Sequence, residues 1–336
     1  MSEKEKILVV GGAGYIGSHT VRMLSDQGYE VIVLDNLIYG HRDAIVDEGV
    51  LFIEGNLGDS TLLDQIFGEH SISAVFHFAA FAYVGESVTE PSKYYQNNLC
   101  ASINLLDAMV KHKCPTFIFS STCATYGNPE YVPIDEKHPQ NPINPYGASK
   151  LMLERVLDDY SHAYGLKHCC LRYFNASGAS LDAKIGEDHN PETHLIPLVL
   201  DAAMGKRENI TVFGTDYDTP DGTCIRDYIH ILDLARAHIL ALEKLNNSDE
   251  QALKINLGTG KGKSVKEVID ATEAVTGLKV PLVYGERRAG DPPELVANAA
   301  YAKEIIGWEA EFTDIHEILK TAYAWVNQDH QGKYTK

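Results

Sequence analysis

A doubly wound parallel α/β sheet, followed by a smaller mixed α/β lobe, is the fold this sequence predicts. Three observations carry that prediction. ILVV (7–10) is an apolar run that leads straight into the glycine-rich GGAGYIG (11–17). Apolar strand-like runs then alternate with helical stretches to about residue 175. After residue 176 the texture changes to long polar, turn-rich stretches separated by short helical and strand runs. Strands alternating with helices of this length imply a parallel sheet.

The elements can be justified in order. ILVV, the glycine turn and a helical pattern through His19, Val21, Met23 and Leu24 form one unit. In that context the glycines permit a tight turn, and amides at the helix start can approach a pyrophosphate. The second apolar run, VIVL (31–34), ends in Asp35, eighteen residues after Gly17. An acid there accepts from the hydroxyls of an adenosine ribose and repels a 2′-phosphate, which favours NAD over NADP. VLFIE (50–54), AVFHF (74–78), TFIFS (116–120) and KHCCLRYF (167–174) read as further strands. TLLDQIF (61–67), YYQNNLCASINLLDAMVKH (94–112) and a stretch beginning near Tyr146 read as the helices between them. Ligands of such sheets bind beyond the carboxyl ends of the strands. Asp35, the residues after Phe78, SSTCATYG (120–127) and RYFN (172–175) all fall there. The expected division is a Rossmann-type NAD-binding domain over 1–175, rejoined by about 226–258. A smaller second lobe takes 176–225 and 259–336. ILDLARAHILALEKL (231–245) is the stretch expected to bring the chain back to the sheet, and the residues after Gln328 read as a tail.

Composition narrows the function classes. Lys+Arg of 29 against Asp+Glu of 47 gives a net charge of −18. That balance argues against a nucleic-acid or anionic-membrane binder, so an anionic ligand needs a local cluster of arginines and amides. Six cysteines, at 100, 114, 123, 169, 170 and 224, form no C-x-x-C pair and no finger-like spacing with histidine. No metal site is therefore expected, and the histidines show no ligand-like grouping. MSEKEKILVV lacks the apolar core and cleavage site of a signal peptide. No apolar run approaches the ~20 residues that span a bilayer. A cytoplasmic, reducing setting is the expectation.

NPYGASK (144–150) carries the candidate chemistry. If it opens a helix, Tyr146 and Lys150 share a face, with the ammonium beside the phenol. A free phenol has a pKa of about 10 and is a poor base; a nearby cation favours the phenolate, which can take a proton from an alcohol.

The glycine motif, SSTCATYG and Tyr-x-x-x-Lys together resemble the extended short-chain dehydrogenase/reductase family. The resemblance implies that an alcohol is oxidised by hydride transfer to NAD while its proton leaves to Tyr146. Lys150 would lower the tyrosine pKa and hold the nicotinamide ribose, and Thr122 would hydrogen-bond the reacting hydroxyl. A closer resemblance, to the UDP-sugar 4-epimerases of that family, rests on GGAGYIGSHT, VIVLDN, VGES (84–87), YYQNN, NPYGASK, LRYFNASG, GEDHN, DGTCIRDYIH, INLGTG and RRAGDPPE. It implies reversible inversion at the sugar 4-position of UDP-glucose and UDP-galactose through a 4-keto sugar, and a homodimer.

By matching position, the resemblance assigns the cofactor to Gly11, Gly14, Tyr15, Ile16, Gly17, Asp35, Asn36, Asn56, Leu57, Phe78, Ala79, Asn97, Tyr146, Lys150 and Tyr173. It gives Asn175, Arg226 and Arg288 to the diphosphate, Asp291 to the uridine ribose, and Phe213 with Tyr228 to the uracil. His194 and Leu195 would offer backbone contacts. Four positions depart from the common pattern. Thr122 stands for a serine, Asn56 for an aspartate and Ala82 for a lysine. Leu295 occupies the place that gates the sugar 2-substituent, where tyrosine excludes N-acetyl groups and small residues admit them. Related dehydratases need an acid after the Ser/Thr, and Cys123 and Ala124 stand there instead. UDP-xylose/UDP-arabinose and UDP-N-acetylglucosamine 4-epimerases remain alternatives within the class. Outside it stand a net dehydrogenase releasing NADH and a non-catalytic regulator that binds NAD and a UDP-sugar.

Overall fold

The computed structural model describes residues 5–288, 291–330 and 332–334. The chain opens with β1 (Lys6–Val10), α1 (Tyr15–Asp26), β2 (Glu30–Asp35), β3 (Leu51–Glu54), α2 (Ser60–Glu69) and β4 (Ile72–His77). Next come α3 (Val84–Thr89), α4 (Pro91–Tyr94), a widened π-type stretch over Tyr95–Cys100, and α5 (Ala101–His112). β5 (Thr116–Thr122), α6 (Pro145–Tyr164) and β6 (Lys167–Tyr173) complete this run. The expected helix over 94–112 is thus three segments, and the π-type stretch holds Asn97 and Asn98.

β7 (Asn175–Ser177) leaves the sheet, and α7 (Leu195–Ala203), β8 (Ile210–Phe213), β9 (Ile225–Arg226) and β10 (Tyr228–His230) follow. Residues 231–245 do not re-enter the sheet. They form α8 (Ile231–Asn246), whose Leu234, Ala237 and Leu242 join Val21 and Leu24 of α1 in one core. The apolar positions recur at helical spacing, which is why this stretch coils. Only β11 (Ala252–Leu257) returns, pairing in parallel with β6. β12 (Lys263–Ser264), α9 (Val265–Thr276), β13 (Leu282–Gly285), β14 (Glu294–Leu295), α10 (Ala300–Ile306) and α11 (Ile315–Val326) end the chain.

Seven parallel strands make the central sheet, in the order β11-β6-β5-β4-β1-β2-β3. Both faces are covered, so the strands are nearly continuous apolar runs. Successive side chains of β1 go to opposite faces: Ile7 and Val9 join the α1 and α8 core, while Leu8 and Val10 face α2, α5 and α6. Strand order reverses between β1 and β4, which opens a crevice at their carboxyl ends. The smaller lobe has its own core, with Ile196, Leu200, Val268, Ile318, Leu319 and Trp325 drawn from α7, α9 and α11. The expected tail is docked at its described residues. Lys333 pairs with Asp188 at 2.6 Å, and the Tyr334 ring stacks on His41 at 5.0 Å. A half-buried aromatic near the terminus, Tyr334, supplies the apolar contact that the residues after Gln328 had not suggested.

Candidate active site

Two sides of the crevice meet at the carboxyl ends of β1, β4, β5 and β6. On one side, Gly14 caps α1 with no side chain, leaving the first-turn amides for an anion. Gly11 has φ +78°, and a Cβ there would overlap the backbone of Ala79. A Cβ on Gly17 would overlap the Gly11 carbonyl oxygen. Phe78 and Ala79 both donate their amides to the Val10 carbonyl, at 2.8 and 3.1 Å, which draws the end of β4 onto the turn. Asp35, 8% exposed, accepts from the Ala13 amide at 2.9 Å and from the Leu37 amide at 2.8 Å. Burial pushes its carboxyl up, and these amides act the other way. The carboxylate keeps lone pairs for ribose hydroxyls, and Tyr15, Ile16 and Asn36 flank it. These residues fit a dinucleotide. Asn56 uses its side-chain oxygen on the Gly58 amide at 2.7 Å, leaving one lone pair for an adenine amino group. Leu57 is buried beside it.

The middle of the crevice belongs to α6. Asn144 accepts from the Gly147 amide at 2.8 Å and Pro145 fills the first helical position, so the helix starts just before Tyr146. A Cβ on Gly147 would overlap the Ala124 carbonyl oxygen, so this glycine lets α6 lean on the turn after Thr122. Thr122, at the end of β5, lies beside the Tyr146 phenol and draws its pKa downward. Lys150 donates to the Ser120 carbonyl at 2.7 Å and lies 6.0 Å from the Tyr146 ring centre.

Burial sets the direction of both shifts. Burial pushes the Tyr146 phenol up to about 12, with Thr122 acting downward. Burial also pulls Lys150 down to about 7, against the attraction of Glu154. Removal from water is the largest influence on each group in this pocket. The pair is on one helical face as the spacing required.

On the far side, charged groups answer one another. Arg226 is bonded to Asp291 and donates to its neighbour's carbonyl, Ile225, at 2.8 Å. The Arg288 guanidinium lies 4.0 Å from the Phe213 ring centre. The residues expected to hold phosphate, ribose and base are therefore brought together in pairs. Asn175 donates its side-chain amide to the Asp227 carbonyl at 3.2 Å, on the strand next to Tyr228. Leu295 pairs with Arg226 and packs against the cluster of Tyr126, Ile134, Phe174 and Ala297. His194 precedes α7 and Leu195 opens it. Tyr173 bonds Ser120 beneath the reacting end of the crevice.

Sequence reasoning missed three supports. Asn98, not Asn97, clamps Phe81: it accepts from the Phe81 amide and donates to the Phe81 carbonyl, both at 2.9 Å, and also reaches Ser149 of α6. Asn97 donates to Asn98 at 3.0 Å. Glu154, on the Tyr146/Lys150 face, meets Arg172 at 2.6 Å and accepts from Ser121 at 2.6 Å. Arg172 also reaches Tyr126, which donates to Asn256 at 2.6 Å. A lone arginine inside the apolar run CCLRYF was the available signal, since a buried charge needs a partner. Buried Asp227 holds the amides of Thr259, Gly260 and Ala297. The histidine reading is corrected too: His189 and His194 converge with Glu187 and Glu192. The intervening residues fold back on themselves, which linear spacing did not reveal.

Comparison with known proteins followed the same lines. The model of the NAD dependent epimerase/dehydratase family matches residues 7–258. A UDP-glucose 4-epimerase of Halalkalibacterium halodurans is 51% identical over 98% of both chains. The crystal structure of UDP-glucose 4-epimerase from Brucella ovis in complex with NAD superposes with a TM-score of 0.93, at 50% identity and 98% coverage of both chains. That of UDP-glucose 4-epimerase from Bifidobacterium longum in complex with NAD+ and UDP gives a TM-score of 0.92 at 38% identity, covering 98% of this chain and 100% of the other.

Proposed function

The chain belongs to the NAD-dependent epimerase/dehydratase family, and from that premise we propose that it interconverts UDP-galactose and UDP-glucose. The observation that carries this reading is the shared helical face of Tyr146 and Lys150 beside Thr122, across the crevice from the Arg226 and Arg288 side chains. The chain is an NAD-dependent isomerase acting at carbon 4 of a UDP-sugar. The chemistry supplied by bound NAD is reversible acceptance of a hydride from carbon 4, and its oxidised ring adds the positive charge that favours a phenolate.

The remaining steps belong to this chain's own residues. The amides at the start of α1 hold the dinucleotide diphosphate, and Asp35 accepts from the adenosine ribose. Tyr146 takes the proton of the sugar 4-hydroxyl at its phenolic oxygen and gives it back, while Thr122 fixes that oxygen's direction. Lys150 orients the nicotinamide ribose. Glu154 and Arg172 keep α6 seated on β5 and β6, so that the phenol does not drift from its station. Arg226, Arg288 and Asn175 hold the sugar-nucleotide diphosphate, a task suited to the guanidinium fork. Phe213 with Tyr228 receives the uracil, Asp291 the uridine ribose, and the backbone at His194 and Leu195 closes the sugar's side.

The division into a nucleotide lobe over 1–175 with 226–258, and a substrate lobe from the rest, is part of the same proposal. So are a cytoplasmic setting, which six free thiols support, and a homodimer. No helix among the described residues is long and apolar enough to cross a membrane.

The test is turnover of UDP-galactose, UDP-N-acetylgalactosamine and UDP-xylose by the purified protein, with products resolved by chromatography and the NADH band followed. Conversion of UDP-galactose to UDP-glucose without net NADH is the expected result. Turnover of UDP-xylose alone would move the substrate to a pentose. Stoichiometric NADH would make the chain a dehydrogenase.

A further inference from the structure

We propose that Glu187, His189, Glu192 and His194 form a binding site for a divalent metal ion of the zinc type. The four come from one eight-residue segment, EDHNPETH (187–194), between β7 and α7. One ligand atom from each lies within 4.8 Å of all the others. The separations are close to those of a coordination shell. His194 Nδ1 and Glu187 Oε1 are 2.8 Å apart, His189 Nδ1 and Glu187 Oε1 3.1 Å, and His189 Nδ1 and Glu192 Oε2 3.5 Å. Zinc bonds of 2.0–2.2 Å to nitrogen and oxygen make a tetrahedron whose edges are about 3.4 Å.

A second observation separates this cluster from an ordinary ion-pair group. The Glu187 side chain is only 7% exposed, and its Oε1 is wholly buried without a hydrogen-bond partner. His189 Nδ1 is buried in the same way, although the two atoms lie 3.1 Å apart. The angle between the two groups does not suit a hydrogen bond, so each keeps its polar atom unsatisfied. An unsatisfied carboxylate oxygen is costly where water is shut out, and a cation beside it would remove the penalty.

The shell around the four residues is also built. Glu192 Oε1 accepts from the amides of Thr193 at 2.6 Å and His194 at 2.7 Å. This fixes the carboxylate and leaves Oε2 for a metal. The Glu187 carbonyl accepts from Trp325 of α11 at 3.0 Å. Asp188 accepts from Lys333 and from the Tyr334 amide, and its carbonyl meets His41 at 3.0 Å. Two imidazole nitrogens and two carboxylate oxygens suit zinc better than calcium or magnesium, which prefer six or more oxygens.

The site lies where the two lobes touch. Tyr15 of the glycine turn presents its ring edge-on to His189 at 6.2 Å, and its hydroxyl donates to the Gly178 carbonyl at 2.6 Å. His194 is the residue before α7. A metal here fixes the segment that leads into α7 and stabilises the folded chain by mass action.

Tag-free full-length protein passed through a desalting column after incubation with Zn2+ would be assayed for metal by mass spectrometry. About one zinc per chain is expected, with a rise in melting temperature on adding Zn2+. Glu187→Gln and His189→Asn, checked for native circular dichroism, should each retain less than about a tenth of that. If a variant fails to fold, Co2+ titrated into the wild type should give the intense visible bands of a tetrahedral site. Retention of no zinc together with no cobalt bands overturns the proposal, as does equal retention by folded variants. Turnover of UDP-galactose is read separately, so failure here leaves the catalytic reading standing.

Discussion

The glycine-turn side of the crevice and its arginine side are held together by different means. On the first, backbone meets backbone: Phe78 and Ala79 bond the Val10 carbonyl, and Asp35 is pinned by the amides of Ala13 and Leu37. On the second, long side chains satisfy one another, Arg226 with Asp291 and Arg288 with Phe213. The first side is set before any ligand arrives. The second must exchange internal contacts for ligand contacts, so each of its residues yields less net affinity than a phosphate–guanidinium bond suggests in isolation.

The largest break is expected on the rigid side. Gly17→Val has no room beside the Gly11 carbonyl, and overpacking of this kind costs about 1–3 kcal/mol or more. NAD affinity measured by calorimetry should fall at least about tenfold, with a lower melting temperature; unchanged NAD binding would mean that the turn can flex. Arg288→Ala tests the adaptable side. Charge-assisted hydrogen bonds are worth about 1.5–3 kcal/mol, so KM for UDP-galactose should rise about 10–100-fold while NAD affinity holds. Equal loss of both would erase the distinction between the sides.

Acid sharpens it further. His19, His77, His230 and His238 sit in or beside the nucleotide lobe, and burial pulls them down to about 4, 3, 3 and 4. From pH 6.5 down towards those values the unfolded chain binds protons that the folded chain refuses. Stability is therefore lost as pH falls through this window, by up to about 1.4 kcal/mol per histidine per unit. Denaturant melts from pH 7 to 4.5 should show the slope, and a flat profile would contradict the burial of neutral imidazoles. Lys150 gives the opposite trend, on the alkaline side. Between about 7 and 10.5 the unfolded chain holds its proton and the folded chain does not, so stability from this group rises with pH. Stability of the wild type minus that of Lys150→Met should climb across this range by about 1.4 kcal/mol per unit at most; a constant difference would mean the ammonium stays charged.

Much of the sheet was legible because each buried strand is an apolar run and each helix keeps a helical period. Ile7, Val9, Leu8 and Val10 already announced two covered faces. The glycine turn, Asp35 and the Tyr146/Lys150 spacing were legible for the same local reason: a fixed offset on a regular element. What escaped depends on residues far apart in sequence. Asn98 reaches across to Phe81, Arg172 to Glu154, and Tyr334 to His41. The direction of the Tyr146 shift escaped as well, because burial is a property of the assembled pocket and not of the motif.

The most direct test of the catalytic account is turnover of UDP-galactose by Tyr146→Phe beside the wild type, with folding checked by circular dichroism and NAD binding by calorimetry. The account predicts a folded protein that still binds NAD and loses at least about a hundredfold in kcat, the scale of a general base. A folded Tyr146→Phe that turns over UDP-galactose at the wild-type rate would contradict it, because the proton of the 4-hydroxyl would then be leaving by another route.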